Sequence, residues 1–314
     1  MIRFIASRLL QMVLVLFILS VVTFSLMKLA PGDPVRFILK VDEVVATSGE
    51  QEQLREKLGF NDPVWKQYIT WLGNVTKLDF GTSYISNESV VYELSSRFGP
   101  TISLALSSLG LTLLFAFVLG GLAALNHQRF FDHLSRIIAF VGASIPNFLV
   151  ALLLIYFFSM KLRILPALGN GSVLHFLLPS LTLGFGMSAV YARLLRASLL
   201  DSLQQEYIRG AHARGIPPYL IFFCYALPPA LLPVLTMFGM SFGLLLGGTV
   251  VVETIFSWPG LGQFIVDSIM KRDYPVIQGF ILLTGFFVMS INLCVDLLYA
   301  IVDPKVRLAG RSTK

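Results

Sequence analysis

Long apolar segments dominate this sequence and restrict its possible folds more than any other feature. A helix needs about 20 mostly apolar residues to cross the hydrocarbon core of a bilayer. Six segments meet this requirement: Leu9–Leu29, Thr101–Leu125, Arg136–Met160, His175–Leu195, Ala230–Val252 and Pro275–Ile301. Hydrophobic residues make up 55% of the chain and charged residues only 13%, so too little charge remains to cover a soluble domain. We therefore predict an all-α integral membrane protein with six transmembrane helices.

The distribution of basic residues predicts the orientation of these helices. Six spans place both termini on one side, and most lysines and arginines of the short connections lie there, for example Arg3, Arg8, Arg129 and Arg214. The positive-inside rule assigns this side to the cytoplasm. The first apolar run is longer than the core of a signal peptide, so we predict that it remains as a transmembrane helix.

This orientation divides the chain into three parts. Residues 1–30 form the cytoplasmic N-terminal end and the first transmembrane helix. Residues 31–100 form a large extracytoplasmic loop, and residues 101–314 form a core of five transmembrane helices.

Two short helices are predicted within the outer loop. A capping box at Ser48–Gln51 begins the first, which ends at Gly59. The second begins after Asn61–Pro63 and carries Tyr68 and Trp71 on an apolar stripe. Because these aromatic residues favour membrane interfaces, the helix either lies on the outer membrane surface or packs against the outer ends of the spans.

A polar connection of residues 201–228 lies on the cytoplasmic side, between the fourth and fifth spans. Asp201 or Ser202 is expected to cap a short helix here. The helix should end at Gly215, because glycine permits a reversal through positive φ and the Pro217–Pro218 pair cannot continue it. The connection is either a protruding knob or a simple interfacial helix.

The residues of this connection resemble a known signature, E-A-A-x(3)-G-x(9)-I-x-L-P, of permeases in binding-protein-dependent ABC importers. Four residues match it: Ala211, Gly215, Leu227 and Pro228. Three depart from it: Arg209, Gly210 and Tyr225. Glu206 lies one turn earlier and does not replace the missing acid. The resemblance implies that this loop, including Glu206, Arg209 and Gly210, is a coupling helix that docks on an ATPase subunit.

Other segments extend the resemblance over nearly the whole chain, in the order of the dipeptide, oligopeptide and nickel permease family. They are Pro31–Pro34, Leu58–Pro63, Asp79–Ser83, Ser144–Phe148, Ala192–Arg196, Gly247–Gly262, Arg272–Gln278 and Asp303–Pro304. The chain resembles the first of the two permease subunits in this family. The implied architecture is that of a type I ABC importer permease in the bacterial inner membrane.

The resemblance also implies partners and substrates. The partners are a second permease subunit, two ATPase subunits that bind ATP and magnesium, and an extracytoplasmic solute-binding protein; no nucleic acid is expected. The substrates carried by relatives are short peptides, nickel and metal chelates. Two segments, Ser257–Gln278 and Ala192–Asp201, are slightly closer to nickel-type members.

Chemical groups typical of an enzyme are missing from the sequence. It contains no G-x-x-x-x-G-K-[ST] loop for ATP phosphates and no H-E-x-x-H pair. We therefore predict a non-catalytic transmembrane subunit without a cofactor or metal site of its own. The alternative is an ion-coupled secondary carrier that acts without ATPase subunits, but such a carrier needs carboxylates at mid-membrane, which the predicted spans lack.

Two groups of residues are candidates for a pathway or gate. Met237 and Met240 share one face of the fifth span; their sulfur atoms either suit a transition metal or simply pack. Glu253 and Trp258 lie just outside that span. They either form an outer mouth that faces the delivery protein or hold a tight turn against the bundle, and we expect packing to be the larger part.

Overall fold

Apolar helices form the membrane segments of this protein. The computed structural model describes residues 2–29, 48–57, 59 and 61–302. In this part of the chain, five helices are long and apolar enough to cross a membrane, and a sharply bent helix pair makes a sixth span if it is counted as one. The prediction of an all-α membrane protein is confirmed.

The helices are α1 (Ile2–Leu29), α2 (Ser48–Lys57), α3 (Val64–Val75), α4 (Val90–Leu125), α5 (Phe130–Ser144), α6 (Asn147–Leu154), α7 (Val173–Leu203), α8 (Glu206–Ala213), α9 (Leu227–Ile255), α10 (Leu261–Met270) and α11 (Tyr274–Val302). A π-helical segment, Ile155–Lys161, extends α6, and a second one, Ile221–Ala226, precedes α9. The predicted segments Pro31–Pro34 and Asp303–Pro304 lie outside the described residues, as do the side chains of most of the Ser48–Gln51 capping box.

The third predicted span, Arg136–Met160, is not one straight helix. α5 and α6 meet at an angle of 103°. Proline disfavours the helical conformation of the residue before it, and Ile145, before Pro146, is extended with ψ 126°. The segment Ser144–Phe148, which carries part of the resemblance, therefore forms the break between the two helices.

Two other spans are longer than their apolar runs indicate. α4 begins at Val90 instead of Thr101 and contains Pro100. α7 continues through Pro179 and extends to Leu203. Membrane helices tolerate internal prolines where neighbouring groups satisfy the freed backbone carbonyls, so these prolines do not end the helices.

Backbone contacts divide the chain into two units. One comprises Met1–Gly99 with Gln263–Leu293, and the other comprises Pro100–Gly262 with Cys294–Lys314. Three contacts within the first unit determine where α3 lies. Its Tyr68 and Trp71 rings lie 5.3 and 5.5 Å from the Phe24 ring of α1. The Tyr68 and Ser20 hydroxyls are hydrogen-bonded at 2.8 Å, so these aromatic residues pack against α1.

The second unit has its core where α4 and α7 pack closely. A Cβ on Gly120 would come within 2.7 Å of the Ala192 carbonyl oxygen, so the two backbones are in near contact. Tyr191, Leu195 and Leu199 of α7 are buried in this core. Their packing fixes the end of α7, which leads into the connection of residues 201–228, the predicted coupling loop.

Candidate functional site

The coupling loop contains a short helix, α8, that begins later than the sequence indicates. α7 continues through Asp201 and Ser202 to Leu203. Gln205 occupies the N-cap position of α8 and makes no side-chain capping hydrogen bond. The prediction that Asp201 or Ser202 caps this helix is therefore wrong. No glycine or proline interrupts the end of α7, so the helix runs past these polar residues.

The end of α8 has the geometry that the sequence predicts. Gly215 has φ +72°, a conformation that glycine adopts without the steric cost of a Cβ. Its N–H donates to the His212 carbonyl at 2.9 Å, and the Ile216 N–H donates to the Ala211 carbonyl at 3.2 Å. This pair of bonds forms a Schellman motif, which satisfies carbonyls left open at the helix end.

α8 has a buried face and an exposed face. Ile208 and Ala211 are buried and pack against Ile221 and Ala226 of the second π-helical segment. The exposed residues are Glu206, Tyr207, Arg209, Gly210, His212, Ala213 and Arg214. The matched alanine of the signature is thus an anchor, and the exposed residues form a polar, basic surface.

The departures from the signature lie where they disturb little. A Cβ on Gly210 would meet no heavy atom within 4 Å, so alanine and glycine both fit there. Arg209, in place of the acid, is exposed and bonds the Glu206 carboxylate at 2.8 Å. Tyr225 is also exposed. These three changes alter the surface of the loop and leave its anchor intact.

Two prolines account for the π-helical segment before α9, whose turns are wider than those of an α-helix. Pro228 and Pro229 have no N–H to donate to the carbonyls of the preceding turn, and their rings crowd those carbonyls. The π-helical segment Ile221–Ala226 ends two residues before Pro228. Leu227, between this segment and the prolines, packs against the core of the second unit. The Leu-Pro end of the signature therefore joins the coupling loop to α9.

Glu253 organises the turn that follows α9. It is fully buried; Thr101 Oγ1 donates to its Oε1 at 2.8 Å and the Gly262 N–H donates to its Oε2 at 2.6 Å. Thr101 Oγ1 in turn accepts the Leu261 N–H at 2.8 Å. A Cβ on Gly260 would overlap the Glu253 carboxylate. The glycines of this turn thus leave room for a buried carboxylate and its backbone donor.

Trp258 is the second support of this turn. It is 1% exposed, and its indole N–H donates to the Pro100 carbonyl at 3.0 Å. Its ring meets Phe176 edge-on at 4.6 Å. Neither Glu253 nor Trp258 lies on an exposed wall, so packing is the role that the geometry supports for both.

The two methionines of α9 have different surroundings. Met237 is partly buried against the core that contains Tyr191 and Val234, whereas Met240 is 68% exposed. Met240 is therefore the more accessible of the two to a neighbouring subunit, a lipid or a solute. Within the described ranges, no group of three or more His, Cys, Asp or Glu side chains is arranged to hold a metal.

The sequence did not reveal an ion pair in the second unit between the buried Asp132 and the partly exposed Arg196. Arg196 donates from Nε to Asp132 Oδ1 at 2.6 Å and from Nη2 to Oδ2 at 2.8 Å. The signal for it was weak, because Asp132 stands alone at a helix start and its partner lies 64 residues away. Arg196 itself closes the Ala192–Arg196 segment of the resemblance.

A second missed carboxylate joins two resemblance segments in the first unit. Asp273 accepts hydrogen bonds from the Ser83 hydroxyl and, at 3.1 Å, from the Tyr84 N–H. Burial raises the pKa of Asp273 above its ordinary value, although the bond from Ser83 opposes this shift. Burial, together with the Asp273 charge, raises the pKa of Tyr84 to about 12.

The chain thus combines apolar membrane helices with a short helix, α8, that is anchored on one face and exposed on the other. Residues 116–308 match the family described as the binding-protein-dependent transport system inner membrane component. Residues 1–105 match the N-terminal region described for the same transport systems. The chain belongs to this family and is the permease subunit of an ABC importer in the inner membrane.

The chain is also similar to individual permeases over nearly its whole length. The glutathione transport system permease protein GsiC of Escherichia coli strain K12 is 42% identical over 307 residues, which cover 98% of this chain and 99% of that protein. The protein of the same name from Shigella flexneri serotype 5b matches with the same identity and coverage. An inward-facing structure of the MetNI methionine ABC transporter superposes with a TM-score of 0.54 at 19% identity, over 68% of this chain and 97% of that one. This last likeness shows a shared fold.

Proposed function

We propose that this chain forms half of the pathway of an ATP-driven importer that carries short peptides of the glutathione type. The structure of α8 is the observation that supports this proposal most directly. This helix is exposed on one face, anchored on the other by Ile208 and Ala211, and closed by the Gly215 turn. An exposed helix anchored in this way gives a separate subunit a means of moving the membrane helices.

The contacts of α8 define a route for that movement. Its buried residues Ile208 and Ala211 touch Ile221 and Ala226, and Ala226 directly precedes α9. Because packed interiors resist compression, a push on α8 is passed to the beginning of α9. In this proposal, the push comes from an ATPase subunit that binds ATP and magnesium, since this sequence has no phosphate-binding loop.

Besides this chain, the proposed assembly comprises a second permease subunit, two ATPase subunits and an extracytoplasmic binding protein, and it lies in a lipid bilayer. The coupling loop and both termini face the cytoplasm, as the basic residues predict. The exposed Arg209 and Arg214 then lie on the ATPase side. We propose that Glu206, Arg209 and Gly210 contact the ATPase subunit.

For the solute, we propose a largely apolar route along α9. Met240 is exposed and is the candidate for contact with the solute. Met237 is partly buried, and Glu253 and Trp258 are buried. We assign Met237 to supporting the wall of the route, and Glu253 and Trp258 to supporting its outer mouth. A weakly binding wall suits transport, because the binding protein supplies the affinity.

We prefer a peptide over nickel as the substrate because the similarity to a glutathione permease covers more of the chain than the nickel-like features do. The match to a glutathione permease spans 307 residues. The nickel-like features are confined to Ser257–Gln278 and Ala192–Asp201. Glutathione is a small anionic tripeptide, so it represents the short-peptide class as a test substrate.

The test is uptake into proteoliposomes that contain this chain, its permease partner and the ATPase subunits, with the binding protein outside. We expect labelled glutathione or another short peptide to accumulate only when ATP is present inside. Accumulation of nickel but of no peptide would refute the proposal that the substrate is a short peptide. Uptake by this chain alone, driven by an ion gradient without ATP, would establish the carrier alternative instead.

A matched pair of variants tests the role of α8. Ala211→Glu places a charge in a fully buried contact, and Gly215→Pro removes the N–H that bonds His212. Both should insert normally but lose ATPase binding and uptake. Gly210→Ala is the control: it restores the alanine of the signature at a proposed contact, where no atom of this chain lies within 4 Å, so it should keep ATPase binding and uptake. Unchanged uptake in Ala211→Glu would contradict the coupling role.

A further inference from the structure

The Asp132–Arg196 pair joins two helices that are far apart in the sequence. Asp132 lies in the first turn of α5 and has no exposed side-chain surface, and Arg196 belongs to α7. Both guanidinium bonds, at 2.6 and 2.8 Å, go to different oxygens of the carboxylate. A bidentate bond of this kind fixes direction as well as distance, because the planar fork matches the carboxylate.

The surroundings of Asp132 favour a carboxylate at this position. The Gln128 N–H donates to its Oδ2 at 2.9 Å. Arg136 Nε lies 3.6 Å from Oδ1, and His127 Nδ1 lies 3.7 Å from Oδ2. Of these groups, only Arg196 reaches the carboxylate from α7. The others come from α5 or from the connection just before it, so Arg196 alone joins the two helices through this carboxylate.

α5 also touches α7 nearer its other end, through a different kind of contact. A Cβ on Gly142 would lie in ordinary contact with Ala189 and Phe185, at 3.5 Å. Apolar contact of this kind holds the helices together but is non-directional, so it resists sliding of one helix along the other less than a bidentate bond does. The bidentate Asp132–Arg196 bond, called the ionic fork below, therefore adds a more specific register.

Arg196 is also connected to the coupling loop by a continuous, buried part of α7. From Arg196 the helix runs to Leu203, a rise of about 10 Å. On the way, Leu199 is fully buried in the core that includes Phe222 of the second π-helical segment. Leu203 packs against the buried face of α8. A displacement of α8 therefore reaches Arg196 through packed side chains.

We infer that Asp132 and Arg196 are positioning residues that make α5 move in register with α7 when the coupling helix is displaced. This inference rests on the proposed function, because it assigns the pair to the transmission of ATP-driven movement. Without the fork, α7 would still follow α8, while α5 could lag behind by sliding on its apolar contact. ATP would then be hydrolysed with less solute moved.

The test compares uptake with ATP hydrolysis in the same proteoliposomes of the complete importer. Arg196→Lys keeps the charge but cannot form the fork, and Asp132→Asn removes the charge. In assembled complexes we expect both variants to keep ATP hydrolysis while uptake per ATP falls by about tenfold, a usual size for coupling between sites. The loss of a merely structural contact would reduce the amount of complex and leave this ratio unchanged.

Arg136→Gln is the matched control. Arg136 lies 3.6 Å from the same carboxylate but belongs to α5 itself, four residues after Asp132. Its removal therefore leaves the bond between α5 and α7 in place. Uptake per ATP should stay at the wild-type value. The inference is overturned if Arg196→Lys and Asp132→Asn keep the wild-type ratio, or if neither variant forms a complex, since the pair would then serve folding alone. Failure of the wild-type complex to show ATP-dependent uptake would instead refute the proposed function.

Discussion

Substitutions of Gly215 test the coupling loop by changing one quantity, the free-energy cost of a positive φ at this residue. A Cβ at this position would meet no heavy atom within 4 Å, so a substitution causes no clash with a neighbour. The backbone, however, has φ +72°, which costs most L-residues about 1–2 kcal/mol. Asparagine adopts this conformation more easily than alanine, and a β-branched residue such as valine adopts it least easily.

The structure therefore predicts a graded series. Gly215→Asn should behave almost as the wild type, Gly215→Ala should destabilise the turn by about 1 kcal/mol, and Gly215→Val should destabilise it further. A cost of 1–2 kcal/mol increases the population of the open turn by about 5- to 30-fold. Hydrogen exchange of the residue 215 and Ile216 amides, which bond His212 and Ala211, should accelerate by this factor.

The assay pairs this exchange measurement with ATP-driven uptake by the reconstituted importer. We expect uptake to fall in the same order, from asparagine through alanine to valine, because ATPase binding needs the closed turn. Equal exchange rates in all three variants would refute the assignment of strain at this turn. Faster exchange with unchanged uptake would show that the turn does not contribute to coupling.

Two further predictions concern buried carboxylates. Glu253→Gln keeps the side-chain shape but replaces one acceptor with a donor, which faces either Thr101 or the Gly262 N–H. The substitution should destabilise the fold by about 1–3 kcal/mol, measured as a lower thermal unfolding midpoint. An unchanged midpoint would contradict the role of Glu253. Because the pKa of Asp273 is raised above 3.8 in the folded chain, its contribution to stability is full below that value and is lost as pH rises through the folded pKa. The wild type should lose stability relative to Asp273→Asn between these two pKa values, and a pH-independent difference would refute the raised pKa.

The sequence by itself determined the features that depend on neighbouring residues. Continuous apolar runs of about 20 residues define helical spans, because lipid satisfies no backbone polar group and a helix satisfies all of them within one segment. Gly215 predicts the end of α8 because its positive φ is a local property of glycine. The Ser144–Phe148 segment carries the signal for the bend at Pro146, but the hydropathy of the surrounding run concealed it.

Tertiary structure alone decided which groups are paired and which faces are buried. Asp132 and Arg196 are 64 residues apart, Thr101 and Glu253 are 152 residues apart, and Ser83 and Asp273 are 190 residues apart. No local pattern links such residues, since a buried carboxylate can bond any donor that helix packing brings within reach. For the same reason, the sequence left Glu253 between a gate and a packed turn, and its burial favours the turn. The chain thus encodes its helices and turns locally, whereas the contacts that would transmit movement exist only after the helices have packed.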